Sequence, residues 1–240
     1  KIKAASVSLE NCAFSNDIGK DKPTTGEFDP EHIGVSKINM SVKDLAINKD
    51  TLTARLKNFS AAERCGLLVK KLQADVTVSP NASICDNLYL ETNNSILKSY
   101  YAMRYQRFPD FNDYINKVIM EGHFDNASVD SKDVAFFAPV LKQYPAILKI
   151  SGNVAGTVDS ITGTKLAISD GANIVKGDLA MIGLPDINRT FINYENGEFY
   201  TSGKGILRYA PSLKNNPNIN IESITHAYFK GNFRGYIENF

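Results

Sequence analysis

The sequence predicts an all-β protein in which antiparallel strands, interrupted by two or three short helices, form a repeated array. Three observations lead to this class. Apolar and polar residues alternate with a period of two, short polar turns separate the alternating segments, and one stretch of the chain recurs. Such alternation is typical of strands that bury one side and leave the other in water, and short connections between them give a meander.

The alternation is clearest in residues 38–43, 52–57 and 72–78, which we interpret as half-buried strands. Polar turns are expected at residues 48–50, 80–83 and 93–94, at Asp170-Gly171 and at Asn196-Gly197. The last two are strong hairpin signals, because Asn, Asp and Gly tolerate the positive φ angles of tight hairpin turns.

Two short helices are expected to interrupt the strands. Pro139 closes the first and Pro211 closes the second, since proline cannot continue a helix. The expected N-caps are Asp130 or Ser131 for the first helix and Thr201 or Ser202 for the second. A third helical segment is expected around residues 109–114.

An internal repeat links these helices. Residues 137–145 recur as 209–217, so that Pro139 matches Pro211 at an offset of 211 − 139 = 72. The repeat predicts a slice of an extended array, in which stacked neighbours cover each other's apolar sides. We divide the chain accordingly into a β-meander segment (residues 1–108), a repeat unit with a short helix and strands (109–186) and a second, incomplete repeat unit (187–240).

A smaller pattern of apolar, any, Gly, polar, apolar residues occurs at 120–124, 150–154, 175–179 and 229–233. Each glycine takes a position in the apolar phase of its strand. One interpretation is a β-bulge or bend where the sheet curves. The other is that the missing side chains leave room along one apolar face, which would then form a groove.

Composition excludes several classes of function. Lys and Arg number 27 against 26 Asp and Glu, and no strong basic cluster offers the footprint that nucleic acid requires. The chain has no run of about 18 apolar residues and begins at Lys1, so we expect a processed or excised piece of a longer protein. The absence of tryptophan weighs against a sugar-binding platform.

No catalytic, metal or cofactor motif is present in the sequence, and we do not expect an enzyme. His32, His123 and His226 are each isolated in sequence, and surface capping explains the pair Asp110 and Asp113 best. Three cysteines at wide spacing form no zinc motif. Either Cys12, Cys65 and Cys85 are free thiols, or one disulfide such as Cys65 with Cys85 forms in an oxidising compartment.

Four segments carry a resemblance to a known family: FDPEHIGVSKINMSVKDLAI, DNLYLETNNSILKSYYAMRY, DVAFFAPVLKQYP and LKISGNVAGTVDSITGTKLAI. The chain resembles the periplasmic AsmA-like proteins of the TamB type, in the form found in Bacteroidota. The resemblance runs from about Phe28 to Gly183, and residues 136–158 are its most specific part. Unlike a complete member, this sequence has neither the N-terminal membrane anchor nor a recognisable C-terminal domain of the family.

The resemblance implies a β-groove, or β-taco-like array, with an apolar interior in the periplasm or cell envelope. It also implies attachment to the inner membrane through regions absent from this chain. Phospholipid is the implied cargo, carried between the inner and outer membranes, with outer-membrane assembly proteins as further partners. The residues expected to line the groove are Val118, Met120, Phe124, Ile150, Val154, Val175, Leu179, Phe229 and Phe233.

The same nine residues would equally fill an ordinary sandwich core. A surface adhesin or glycan-binding β-sandwich is therefore the alternative, since it also accounts for repeats, neutral charge and polar turns. The two differ in whether the apolar face is covered. In the sandwich a second sheet covers it, and in the groove it remains an open concave surface.

Overall fold

In a computed structural model, which describes residues 1–236, the chain forms an open, antiparallel sheet of twelve strands that follow one another in chain order. This confirms the predicted all-β class. The strands are Ile2–Asp17 (β1), His32–Asn48 (β2), Thr51–Glu63 (β3), Leu68–Ser79 (β4), Ala82–Glu91 (β5), Ile96–Arg104 (β6), Ile119–Asp130 (β7), Ile147–Gly156 (β8), Ser160–Ser169 (β9), Ile174–Ile182 (β10), Phe191–Thr201 (β11) and Ala227–Tyr236 (β12).

The alternating segments at 38–43, 52–57 and 72–78 lie in β2, β3 and β4 as predicted. The predicted turns at 48–50, 80–83 and 93–94 join β2 to β3, β4 to β5 and β5 to β6, and Asp170-Gly171 joins β9 to β10. Polar turn residues therefore located these connections correctly.

The turn predicted at Asn196-Gly197 is wrong. Both residues lie inside β11, where Asn196 has a φ of 52° and the pairing with β12 shifts register between Tyr194 and Gly197. An Asn at positive φ followed by Gly is as suitable for a β-bulge as for a hairpin turn. The long strand continues through the bulge because it pairs with a neighbour on each side.

Three short helices are present, as expected: Tyr114–Lys117 (α1), Ser131–Val134 (α2) and Gly203–Tyr209 (α3). Asp130 caps α2 by accepting from the Lys132 backbone N–H, and Ser202 caps α3 by accepting from Gly205 N–H. The 3-10 segments are Phe108–Asp113, Pro139–Gln143, Ile187–Arg189, Pro211–Asn215 and Ile221–Ser223.

The sequence repeat is also a repeat of structure. The 3-10 segments Pro139–Gln143 and Pro211–Asn215 are related by 72 residues, as are the caps Asp130 and Ser202. In each copy a long strand leads into a capped helix, a proline-initiated 3-10 turn and another strand.

Each of these helices also packs on the tip of a hairpin. Asp133 of α2 accepts hydrogen bonds from Thr92, Asn94 and Ser95 in the β5–β6 turn. In the first copy the accepting carboxylate belongs to the helix, whereas in the second copy it belongs to the hairpin turn. Asp170, between β9 and β10, accepts from Arg208 Nη1 and Tyr209 Oη of α3, each at 2.8 Å.

The chain divides into two compact units. The first unit contains residues 1–108 and 127–145, and the second contains 109–126 and 146–240. No helix among residues 1–236 is long and apolar enough to cross a membrane.

Candidate apolar binding surface

The second unit has one strongly apolar sheet face. Pairing across β8 to β12 aligns two rows of side chains on this face, one residue from each strand. The upper row is Ile150, Ile168, Val175, Phe199 and Phe229, and the lower row is Val154, Gly163, Leu179, Tyr194 and Phe233. We call these ten positions the second-unit apolar face. With strands about 4.8 Å apart, each row spans about 19 Å.

The opposite side of the same strands is polar in its middle, whereas its two ends carry the rows Ile174, Tyr200, Tyr228 and Ile182, Phe191, Tyr236. One aligned row there is Ser151, Ala167, Lys176, Glu198 and Lys230. Lys230 Nζ lies 3.4 Å from a carboxylate oxygen of Glu198, which is an exposed pairing typical of a water-facing surface. The two faces therefore differ in polarity over the middle of the strands.

Six of the nine residues expected from sequence lie in the two apolar rows. They are Ile150, Val154, Val175, Leu179, Phe229 and Phe233. Met120 and Phe124 are half-buried in β7 on either side of Gly122. Val118 precedes β7, follows α1 as its C-cap and is 0% exposed. Its equivalent at the 72-residue offset, Thr190, is also 0% exposed.

A row of mostly glycine positions runs between the two apolar rows: Gly152, Leu166, Gly177, Gly197 and Gly231. A register shift occurs at Gly177, which confirms the bulge interpretation there, and another at Gly197, where a turn rather than a bulge was predicted.

At two glycines of this pattern, the space left by the missing side chain is occupied by a ring of the same strand. A Cβ added to Gly231 would lie 3.0 Å from Phe229 Cζ, and one added to Gly122 would lie 2.6 Å from Phe124 Cζ. A ring of the same strand therefore lies over each of these two glycines.

The first unit carries an equivalent face, which the sequence prediction of lining residues missed. One row runs through all six of its strands β1 to β6: Leu9, Met40, Phe59, Leu72, Leu90 and Leu97. A second row joins Ala54, Val76, Cys85 and Tyr101. The available signal was the period-two alternation itself, since residues 72–78, which contain Leu72 and Val76, were predicted as a half-buried strand.

Neither apolar face has the burial of a sandwich core. Leu72 and Leu90 are half-buried in the first unit, as are Ile150 and Leu179 in the second, and Phe229 is 46% exposed. Core side chains of a closed sandwich are fully covered by the facing sheet. Within residues 1–236 all twelve strands belong to one sheet, and no second sheet is present to cover these rows.

The second-unit apolar face has no charged side chain in either row. Its one polar group, the Tyr194 hydroxyl, donates to the backbone, with Lys176 O at 2.6 Å and Glu198 O at 3.0 Å. Burial raises the pKa of this phenol, so it stays neutral at ordinary pH. The face can therefore bind apolar chains by contact, and it offers a polar head group no free partner.

The histidines and acidic residues singled out from sequence occupy separate structural positions. The His32 ring lies 2.9 Å from Asp29, whose pKa is lowered to about 2 by the Thr24 backbone N–H and by His32. Asp113, at the start of α1, pairs with the side chains of Asn116 and Lys117 but makes no capping hydrogen bond, and Asp110 is buried, so the surface capping expected of this pair is wrong. Within the described part of the chain, no group of three or more His, Cys, Asp or Glu side chains could hold a metal ion.

The cysteines are free thiols rather than a disulfide. Burial raises the pKa of Cys65 to about 11, and burial also raises the pKa of Cys85. Both thiols are therefore protonated at neutral pH and weak as nucleophiles. Cys85 contributes to the apolar face of the first unit as an ordinary small apolar side chain.

No family model, no curated protein and no solved structure matches this chain. Any function must therefore be argued from the two apolar faces themselves.

Proposed function

We propose that this chain is a section of a periplasmic envelope protein whose open apolar sheet faces carry phospholipid between membranes. A related role in supporting outer-membrane biogenesis would use the same surface. The observation that carries the proposal is the pair of aligned apolar rows on β8 to β12, which are half-exposed and face no second sheet. The resemblance to AsmA-like proteins of the TamB type points to the same role.

The physical basis is the transfer of acyl chains from water to an apolar surface. Burying apolar area gains about 25 cal/mol per Å², or about 0.8 kcal/mol per methylene. A row that contains one apolar side chain or glycine per strand gives contacts of similar strength along its length. Movement along the row then needs no large step in free energy, because no charged group on the second-unit apolar face holds a head group in place.

The decisive test is a pair of adjacent substitutions on β10. Leu179→Asp places a carboxylate in the lower apolar row, whereas Ala180→Asp places one on the opposite face, aligned with Thr162 and Asn193. Both positions are half-buried, so the two variants differ mainly in the face that they alter.

Protein purified from a bacterial periplasm would be studied by native mass spectrometry with lipid extraction. We expect parent and Ala180→Asp to retain phospholipid, and Leu179→Asp to retain about tenfold less, since an unpaired carboxylate is costly in an apolar contact. Thermal melts establish that each variant is folded. The proposal is wrong if the parent carries no lipid, or if both variants retain it equally.

A further inference from the structure

A separate cavity of about 260 Å³ lies in the first unit, outside the apolar rows. It is partly open to solvent and lies between α2, the 3-10 segment that follows it and the β1–β2 connection, residues 18–31, which we call the strap. The lining residues are Gly26, Ser131, Lys132, Ala135, Phe136, Leu141, Lys142 and Pro145. At this volume the cavity is close to the lower limit of about 300 Å³ for small-molecule sites, and too small for a two-chain lipid.

Three contacts hold the strap over the cavity. The Phe28 backbone N–H donates to Phe136 O at 2.8 Å, and the Phe28 ring packs against Phe137 with centroids 5.3 Å apart. Lys142 Nζ lies 2.9 Å from Glu27 Oε1, in a pair that remains partly exposed to water. The cavity is thus built by tertiary contacts between segments about 110 residues apart.

The lining combines apolar walls with an excess of positive charge. Ala135, Phe136 and Leu141 supply apolar surface, while Lys132 and Lys142 both line the cavity. Glu27 neutralises Lys142, but within residues 1–236 no carboxylate pairs with the Lys132 ammonium. A ligand that complements this lining has one anionic end and a short apolar body.

We propose that this cavity binds a small single-chain anionic amphiphile, of the class of a medium-chain carboxylate. The anionic head pairs with Lys132 beside the Lys142–Glu27 pair, and the alkyl chain packs against Phe136 and Leu141. This proposal is independent of phospholipid carriage, because it uses none of the residues in the apolar rows.

The test uses octanoate, with 1-octanol as a neutral probe of equal chain length, on the full chain by titration calorimetry. We expect octanoate to bind about tenfold tighter than octanol, as a charge-assisted contact contributes roughly that factor. Lys132→Ala should remove the preference, and Leu141→Trp should block both ligands by filling the cavity. Lys214→Ala is the matched control, since Lys214 is the repeat equivalent of Lys142, pairs with Glu222 and lies outside this cavity.

A photoreactive octanoate locates the site directly by peptide mapping. Labels in residues 18–31 or 131–145 that are lost in Lys132→Ala support the proposal. Equal affinity for octanoate and octanol, absence of binding, or labels confined to β8 to β12 would overturn it. In the last case the probe reports the apolar face of the proposed carrier, so the two proposals fail separately.

Discussion

At the residue scale, the glycines of the second unit serve two different purposes. Gly177 has a φ of 140°, and a Cβ there would lie 2.7 Å from the Glu195 carbonyl oxygen. Backbone conformation therefore requires glycine at this bulge. At Gly235, by contrast, a Cβ would meet only the Phe233 ring, at an ordinary 3.6 Å. Glycine there is compatible with a small side chain.

This difference predicts the effect of alanine at the two positions. Gly177→Ala should lower the free energy of unfolding by about 1–3 kcal/mol, because it combines strained backbone with a clash against a carbonyl group. Gly235→Ala should change it by less than about 0.5 kcal/mol. Urea denaturation of the two variants and the parent measures both values. Equal stability of the variants would show that the bulge at Gly177 does not constrain the chain.

At the element scale, helix α2 depends on one buried carboxylate. Asp133 is 6% exposed and accepts hydrogen bonds from the Asn94 backbone N–H at 2.9 Å and the Ser95 hydroxyl at 2.8 Å, as well as from Thr92. Burial acts to raise the pKa of Asp133, but hydrogen bonds from Thr92, Asn94 and Ser95 outweigh it and hold this pKa below the ordinary value. The ionised form is therefore the one that holds α2 on the hairpin tip.

A pH dependence follows from the sign of this shift. A lowered folded-state pKa stabilises the fold above the ordinary value near 3.8, and that contribution is lost as pH falls towards the folded-state pKa. Asp133→Asn should lower the free energy of unfolding by about 1–3 kcal/mol at pH 7, and by clearly less at pH 3. Urea denaturation at both pH values checks this, with the exposed turn substitution Asp50→Asn as control. A deficit of equal size at both pH values would contradict the assignment.

The strands, caps and turns differ in how well the sequence predicts them. Strands at 38–43 and 72–78 were predicted correctly, and Asp130 and Ser202 are each one of the two caps that the sequence left open for its helix, because alternation and capping are local properties. Asn196-Gly197 was wrongly assigned to a turn, because this dipeptide suits the dihedral angles of a hairpin turn and of a bulge equally well. Only the pairing of β11 with a strand on each side distinguishes the two. Val118 was predicted to line the groove because it lies in the apolar phase of β7. In the structure it is the C-cap of α1 and precedes the strand.

At the scale of the whole molecule, periodicity predicted which residues share a face but not what covers that face. The rows through Leu72 and through Leu179 would have the same sequence pattern in a closed sandwich. Partial exposure of these rows, together with a single sheet, is information that only the structure supplies. The sequence repeat relates the helices of the two units, α2 and α3, each of which packs on a hairpin tip.

An open sheet also leaves the edge strand β1 without a neighbour on one side. Among residues 1–236, β1 pairs only with β2, and its apolar side chains Ile2, Leu9 and Phe14 are 64%, 38% and 57% exposed. Its unpaired backbone groups and exposed apolar residues can accept a further strand, as long apolar edges do in general. We therefore expect concentration-dependent self-association of this chain.

Leu9→Lys should shift that association towards monomer, because a charged side chain on an edge strand discourages pairing. Thr53→Lys adds the same charge on an exposed position of the inner strand β3, and should leave association unchanged. Light scattering after size-exclusion chromatography over a range of concentrations measures both effects. If the two lysines dissociate the assembly equally, net charge rather than the β1 edge governs it. If the parent is monomeric throughout, the edge alone does not drive association, although its backbone remains open to a strand of complementary sequence.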